Sequence, residues 1–471
     1  MAITSFSFFF LVIASFFVCQ FIDKNTTKKH FLLLVSYYFY MTIDWRFAGI
    51  LMMLTLVNYG AGHIIKTNTA PHIRKLALSL AIIISLGVLF YFKYLGFLVE
   101  SFYQFLGQFG LEGRSPFADI ILPIGISFMT FQSITYPLDL YSGKLKKQCS
   151  IGDFALFMSF FPQLLSGPIV RASFFMPQLE KHHKGSGQEL MEGLTLILRG
   201  LIKKIVFADM LAVQLVDPAF NDPSSFSSWF LILALVGYSF QVYMDLSGYT
   251  DIAIGIGRMF GYRLPVNFNR PYLATSIANF WQRWHITMSS FFRDYLYNAI
   301  EKTKFGNTYT NLLIVFVAIG IWHGAGLNFV VYGLIHGSLV SWEHFRKQRR
   351  DAKGLPPVIY RGANLAIRVT GIFAIIVLTR LLFRGDDLSA CMQYFQAIYN
   401  NVGIHSELPS LALGLLALSA ILHFSPIRYR DQLMNQMTRA RPLIYASGYA
   451  FVVYILVAFN QDAAMFIYYQ F

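Results

Sequence analysis

The sequence predicts an all-α polytopic membrane protein, on three observations. Hydrophobic residues make up 56% of the 471 residues and charged residues only 13%, against about 25% charged in soluble domains. One soluble core could not hide so much apolar surface, so lipid is the solvent for much of the chain. Apolar runs of crossing length recur: a span needs roughly 20 mostly apolar residues, and the stretches 1–22, 47–65, 76–92, 223–244 and 442–461 contain no Asp, Glu, Lys or Arg. The bases fall in short clusters between these runs, the pattern of the positive-inside rule. A net charge of +14 carried in such clusters points to anionic lipid as the partner, and not to nucleic acid.

The elements follow in chain order. Residues 1–22 lack the basic n-region and small-residue cleavage site of a secretory signal and are predicted to be a retained first span. The apolar stretch 31–43 is short, so it is tilted or snorkels at its ends, and 47–65 and 76–92 are plain spans. The middle is less apolar: 121–139 begins with Pro123 and Gly125, 151–169 ends in Ser166-Gly167-Pro168, 193–216 holds Arg199, Lys203 and Lys204, and 279–300 holds Arg283, His285, Arg293 and Asp294. Irregular backbone survives at membrane depth only where it lines a cavity or is buried in protein. The middle is therefore predicted to hold re-entrant or interfacial helices around a polar cavity. The longest charge-free run, 305–342, exceeds one span, and His323-Gly324-Ala325-Gly326 sits near its centre. Two helices broken or turned at that glycine pair are expected. The stretches 369–378 with its flanks, 408–424 and 442–461 complete the set.

Placing the clusters Lys24/Lys28/Lys29, Lys66/Arg74/Lys75, Arg346 to Arg350 and Arg428/Arg430/Arg439/Arg441 inside puts both termini and the acidic stretch 386–407 outside. No internal repeat and no detachable soluble segment is visible, so residues 1–471 read as one membrane domain. Cys19, Cys149 and Cys391 lie far apart, which argues against a disulfide framework or a thiolate metal site.

Eleven histidines occur. Those at 30, 63, 72, 182, 183, 344, 405 and 423 lie near loops or span ends and read as solvated or interfacial. His323 and His336 lie within the charge-free run. An ionisable residue at that depth is costly and is a functional candidate by default; the competing reading is a neutral histidine hydrogen-bonded between helices, and for an isolated case the two carry equal weight. Gly324 and Gly326 beside His323 would let backbone or ligand approach. His336 lies between Gly333 and Gly337, a spacing that suits close helix packing, and so reads as a packing or supporting residue. On a helix His285 would share a face with Trp281 and Gln282; the basic aromatic segment 280–285 could lie at the interface, or present Arg283 and His285 to an anionic or thioester donor. Its residues alone favour the interface. No His-x-x-x-His with a third ligand occurs, so no metal site is expected. Gly-x-Ser-x-Gly is absent, and Gly255-Ile256-Gly257-Arg258-Met259-Phe260-Gly261 has the wrong spacing for a dinucleotide fingerprint.

Beyond these patterns, ordered blocks across nearly the whole chain resemble the membrane-bound O-acyltransferases, in particular the bacterial alginate O-acetyltransferase branch. The blocks are Leu122 to Phe128 with Thr130 to Ser133; Phe161-Pro162-Gln163-Leu164 with Gly167 to Arg171; Gly200 to Lys204; Asp245 to Asp251; Gly257 to Gly261; Asn267 to Tyr272; Trp281 to His285; Phe292 to Tyr297; Trp322-His323-Gly324-Ala325 with Asn328-Phe329; and the terminal Phe466 to Phe471. Departures are Gly326-Leu327 in place of a small residue and Trp, Gln282 in place of Arg, and Ser142 in place of Arg. The resemblance implies about eleven transmembrane helices plus re-entrant helices around a tunnel. It implies that His323 is catalytic and that His285 is similar in placement to the second important histidine. Arg283, Trp284, Trp322 and Asn328, beside them in the blocks, are the expected substrate contacts.

The expected reaction moves an acyl group from a cytoplasmic thioester to an outer-side hydroxyl. A buried neutral imidazole can take the hydroxyl proton, which casts His323 as general base; an acyl-imidazole intermediate is the alternative. His285 and Arg283 would orient the donor or stabilise the oxyanion. The resemblance further implies acetyl-CoA or another acyl thioester as donor substrate, with no tightly bound cofactor, and an extracytoplasmic, SGNH-hydrolase-like partner acyltransferase acting on an exopolysaccharide such as alginate. The location implied is the bacterial inner membrane. Two rivals stand: D-alanyl transfer to teichoic acid by the same fold, and a transporter or channel, which should show intramembrane acids and two similar halves.

Overall fold

A computed structural model describes residues 5–458, apart from 112, 114, 115, 118, 119, 166, 182–184, 304, 305, 440 and 441. The terminal block Phe466 to Phe471, His182, His183, Ser166 and the last residues of the 442–461 stretch lie outside the described residues. All regular structure among the described residues is helical. The chain divides into two compact units, residues 1–197 with 252–265 and residues 198–251 with 266–471.

In the first unit the helices Phe6–Gln20, Asn25–Met41, Trp45–Thr67 and Pro71–Lys93 start where chemistry lets them. Ser5 and Asp44 accept hydrogen bonds from the backbone N–H of Phe8 and Arg46, each satisfying a donor that the first turn leaves open. Pro71 needs no such partner at a helix start. The 31–43 stretch is the apolar part of a longer helix, because Asn25 to His30 form its polar first turns and Lys28 is buried there, donating to the Phe260 carbonyl at 2.8 Å.

The helix Ile126–Tyr141 is almost wholly buried although it carries Thr130, Gln132, Ser133, Thr135 and Asp139. Three of them bind backbone outside their own helix. Gln132 donates to the Phe157 carbonyl at 2.5 Å, Thr135 accepts from Ala172 N–H at 3.2 Å, and Asp139 accepts from Ser173 N–H at 3.1 Å. Ser36 accepts from Phe161 N–H at 3.2 Å. The described residues between Ser159 and Ala172 are irregular backbone, almost all of it buried in protein, which is the condition for tolerating it. Gly125, at φ 79°, opens the helix; a Cβ there would also lie 2.8 Å from the Leu164 carbonyl oxygen.

The second unit is built around paired charges and close backbones. Asp251 binds Arg199 at 2.5 Å and Lys203 at 2.7 Å, while Lys204 bridges Asp209 at 2.8 Å and Asp245 at 3.0 Å. The pairing explains why the helix Ser228–Met259 runs well past residue 244, where the apolar run stops: its acids are matched, so burial is tolerated. The helices Thr308–His323 and Leu327–Ala352 form the hairpin expected from the 305–342 run, turning at Gly324-Ala325-Gly326. A Cβ on Gly320 would lie 2.1 Å from the Phe329 carbonyl oxygen, and one on Gly333 would lie 2.4 Å from that of Phe316. Only glycine allows this contact, the close packing that the Gly333/Gly337 spacing predicts.

Among the described residues, four helices are long and apolar enough to cross a membrane: Trp45–Thr67, Pro71–Lys93, Ser228–Met259 and Gly362–Arg384. Phe6–Gln20, Thr308–His323, Ser410–Phe424 and Leu443–Ile455 are apolar but shorter.

Candidate active site

The site residues all belong to the second unit. The short helix Ile277–Trp281 is capped by Ser276, and its Ile277 and Ala278 N–H groups donate to the Glu343 carboxylate at 2.8 and 2.9 Å. A carboxylate is favoured at that end by the helix dipole. The helix then stops, and His285 adopts φ 44°, ψ 53° before Ile286–Phe291 begins. The sequence reading of 281–285 as one helical face is therefore corrected: His285 occupies a left-handed turn. The reason lies outside the segment. Asn269 N–H donates to the Arg283 carbonyl at 2.8 Å, Ile286 N–H to the Asn267 carbonyl at 2.9 Å, and Thr287 donates through N–H and Oγ1 to Asn267 Oδ1 at 3.1 and 2.9 Å. This clamp holds a conformation that costs a non-glycine residue about 1–3 kcal/mol, and such strain concentrates at functional sites.

His285 and His323 are each only 2% exposed. The Trp322 ring joins them: its centroid lies 5.7 Å from that of His285, perpendicular to it, and 4.8 Å from that of His323. Phe383 also packs against His323, with ring centroids 4.9 Å apart. Two buried imidazoles, distant in sequence, thus sit around one indole.

Trp284 is buried in an aromatic stack, 5.5 Å from Phe280 and 6.3 Å from Tyr272, with the Arg380 guanidinium carbon 4.2 Å from its ring centroid. Asn328 is fully buried; its Nδ2 donates to the carbonyls of Leu382 at 3.1 Å and Gly385 at 2.9 Å. It thereby holds the end of Gly362–Arg384 that carries Phe383. Arg283 is half-buried and donates to Asn279 Oδ1 in its own turn at 3.1 Å and to the carbonyl of Asn269, on a separate segment, at 3.4 Å.

His336 has both ring nitrogens engaged. Trp281 Nε1–H donates to Nδ1 at 3.2 Å, and Nε2 meets Thr379 Oγ1 at 3.1 Å. Thr379 Oγ1 donates to the Ile376 carbonyl at 3.0 Å, so it accepts from Nε2–H, and the network assigns a neutral imidazole protonated at Nε2. His336 ties three helices together, as its glycine flanks suggest.

His423 and Arg380 are additions that sequence reasoning missed. His423 is 3% exposed, where an interfacial residue was expected, because Arg270 folds its own segment onto the end of Ser410–Phe424. The Arg270 guanidinium donates to the His423 and Ser425 carbonyls, and Tyr272 N–H donates to His423 Nε2 at 3.2 Å. Arg380 is 1% exposed. Its signal was present, a base just beyond an apolar run, but such a base ordinarily marks a span end. Among the described residues, no three His, Cys, Asp or Glu side chains gather as metal ligands.

A helix of membrane-crossing length, Gly362–Arg384, packs Phe383 against one of two shielded imidazoles, groups able to accept or pass a proton. Residues 141–383 match the membrane-bound O-acyltransferase family. A probable alginate O-acetylase, AlgI, of Azotobacter vinelandii is 34% identical over 408 residues, 85% of this chain and 78% of that protein. A peptidoglycan O-acetyltransferase of Helicobacter pylori is 36% identical over 69% of this chain and 66% of its own length. A teichoic acid D-alanyltransferase of Bacillus subtilis is 28% identical over 52% of this chain and 65% of its own length. The chain belongs to the membrane-bound O-acyltransferase family and is an O-acyltransferase.

Proposed function

We propose that this O-acyltransferase moves an acetyl group from a cytoplasmic thioester, such as acetyl-CoA, across the bacterial inner membrane for O-acetylation of an extracytoplasmic polysaccharide. The observation that carries the reading is the pair of buried histidines around Trp322, in a chain whose alginate and peptidoglycan O-acetylating relatives align over more of it than the D-alanylating one. His323 is the general base: it takes the proton of the accepting hydroxyl as its oxygen bonds to the acyl carbon, the carbon–sulfur bond breaks, and the proton passes to the leaving thiolate. Burial suits this role, because it favours the neutral, proton-accepting ring. His285 and Trp322 orient the donor against that base. Trp284, packed on Arg380, and Asn328, which holds the helix end carrying Phe383, support the base from the Arg380 and Phe383 side, and Arg283, on the half-exposed turn, meets the anionic part of the donor. An extracytoplasmic SGNH-hydrolase-like acyltransferase passes the group to the polymer, thioester and hydroxyl reach His323 through a tunnel from opposite faces, and both termini lie outside.

His323→Ala is expected to abolish acetyl transfer in membranes or purified protein while leaving the amount of inserted protein unchanged. Wild-type O-acetylation by that variant refutes the assignment. Transfer of D-alanine in place of acetyl, measured with the matching carrier thioester, establishes the rival cargo instead.

A further inference from the structure

The helix Gly362–Arg384 carries three arginines in its described surroundings, and two are matched. Arg368 donates to the Thr275 carbonyl at 2.7 Å and lies 3.9 Å from Glu343; Arg384 pairs with Asp217 at 3.1 Å. Arg380, the most buried of the three at 1% exposure, forms no ion pair among the described residues, and its Nε and Nη2 have no hydrogen-bond partner there. A guanidinium does not shed its proton. Burying such a charge without a counter-ion costs several kcal/mol, and cation–π contact returns about 2 kcal/mol at a desolvated site. The contacts with Trp284 at 4.2 Å and Phe383 at 5.4 Å, and the hydrogen bond with the neutral Tyr272 hydroxyl, supply no counter-charge and do not by themselves account for a cation at this place.

Its position does. Phe383, one helical turn along the same face, touches both the guanidinium and the His323 ring, the latter at 4.9 Å. Trp284, beneath the guanidinium, immediately precedes His285. We propose that Arg380 is the anion-binding residue of the transfer site, its Nε–H and Nη2–H receiving the acyl carbonyl oxygen as that oxygen becomes negative. The inference rests on the acyl-transfer reading above. As the hydroxyl oxygen bonds to the acyl carbon, the carbonyl electron pair moves onto its oxygen, which Arg380 holds; the pair returns as the carbon–sulfur bond breaks and the thiolate leaves with the proton that His323 took. The same charge disfavours a cationic aminoacyl group and favours a neutral acetyl one.

The test compares Arg380→Met and Arg380→Lys in the full-length protein, purified in detergent, by acetyl-transfer kinetics and melting midpoint. Loss of an oxyanion donor typically lowers kcat by about 10²–10³-fold, so R380M is expected to fall by that much with KM nearly unchanged. R380K, which keeps the charge but not the fork, is expected to recover at least about tenfold of the loss. The melting midpoint of R380M is expected to hold or rise, because an unmatched buried cation has gone. Acetate as a small oxyanion is expected to raise the wild-type midpoint and leave R380M unmoved. Wild-type kcat in R380M, loss of activity together with loss of melting midpoint, R380K no better than R380M, or equal responses to acetate each overturn the proposal. A wild-type protein inert with acetyl-CoA defeats the acetyl reading, while the acetate comparison still decides Arg380.

Discussion

His336→Ala separates the two histidines of the charge-free run. His336 accepts from Trp281 Nε1 and donates to Thr379 Oγ1, and it is fully buried. Its removal leaves the Trp281 indole N–H without its acceptor, at about 1–3 kcal/mol for an unsatisfied buried donor. The lost ring leaves a void, and large-to-small substitutions in cores cost about 2–5 kcal/mol. Thr379 is relieved in part, since its hydroxyl still donates to the Ile376 carbonyl. The two effects overlap, so a net loss of about 3–5 kcal/mol is expected. Thermal unfolding in detergent, followed by tryptophan fluorescence beside an acetyl-transfer assay, reads both consequences. H336A should melt several degrees lower and keep substantial kcat when assayed below its midpoint. H323A should melt near wild type and transfer nothing. If H336A melts like wild type but is inactive, the tie between helices is not its role and the reasoning fails.

Two further substitutions probe the frame. Gly320→Ala is expected to cost at least about 1–3 kcal/mol by overpacking, since its Cβ would lie 2.1 Å from the Phe329 carbonyl oxygen, and to depress activity one turn away at His323. Gly371→Ala, with nothing within 4 Å of its Cβ, should be neutral or stabilising by up to about 1 kcal/mol; melting midpoints of the pair check both. Asp251→Asn removes the carboxylate charge held by Arg199 at 2.5 Å and Lys203 at 2.7 Å. It should lower stability by about 3–5 kcal/mol, as breaking buried pairs does, and a midpoint equal to wild type would show that those bases find other partners.

What the sequence made legible follows the range of the forces involved. The turn at 324–326 was readable because the run was too long for one span and carried two glycines at its centre. His323 and His336 stood out together, since an ionisable side chain in an apolar run is conspicuous. Telling them apart was out of reach: His336 is defined by Trp281 and Thr379, 55 and 43 residues away. His285 was misread as part of a helical face because nothing in 281–285 signals a left-handed residue; Asn267 and Asn269 impose it. The helix Ser228–Met259 outran its apolar stretch because its acids have partners on a separate segment. Family membership was legible for another reason: ordered blocks of short motifs carry information that no single spacing does.

The irregular stretch before Ala172 has a consequence for biogenesis. Its Phe161 amide, and those of Ala172 and Ser173 that open the helix after it, are answered by Ser36, Thr135 and Asp139, residues on two other helices. A segment leaving the translocon before those helices have gathered would expose bare amides to hydrocarbon, a penalty of several kcal/mol each. It must therefore wait at the headgroups, or inside the insertion machinery, until its acceptors are assembled. Ser36, Thr135 and Asp139 all precede the segment in the chain, so translation delivers its acceptors first, and what it must await is their packing.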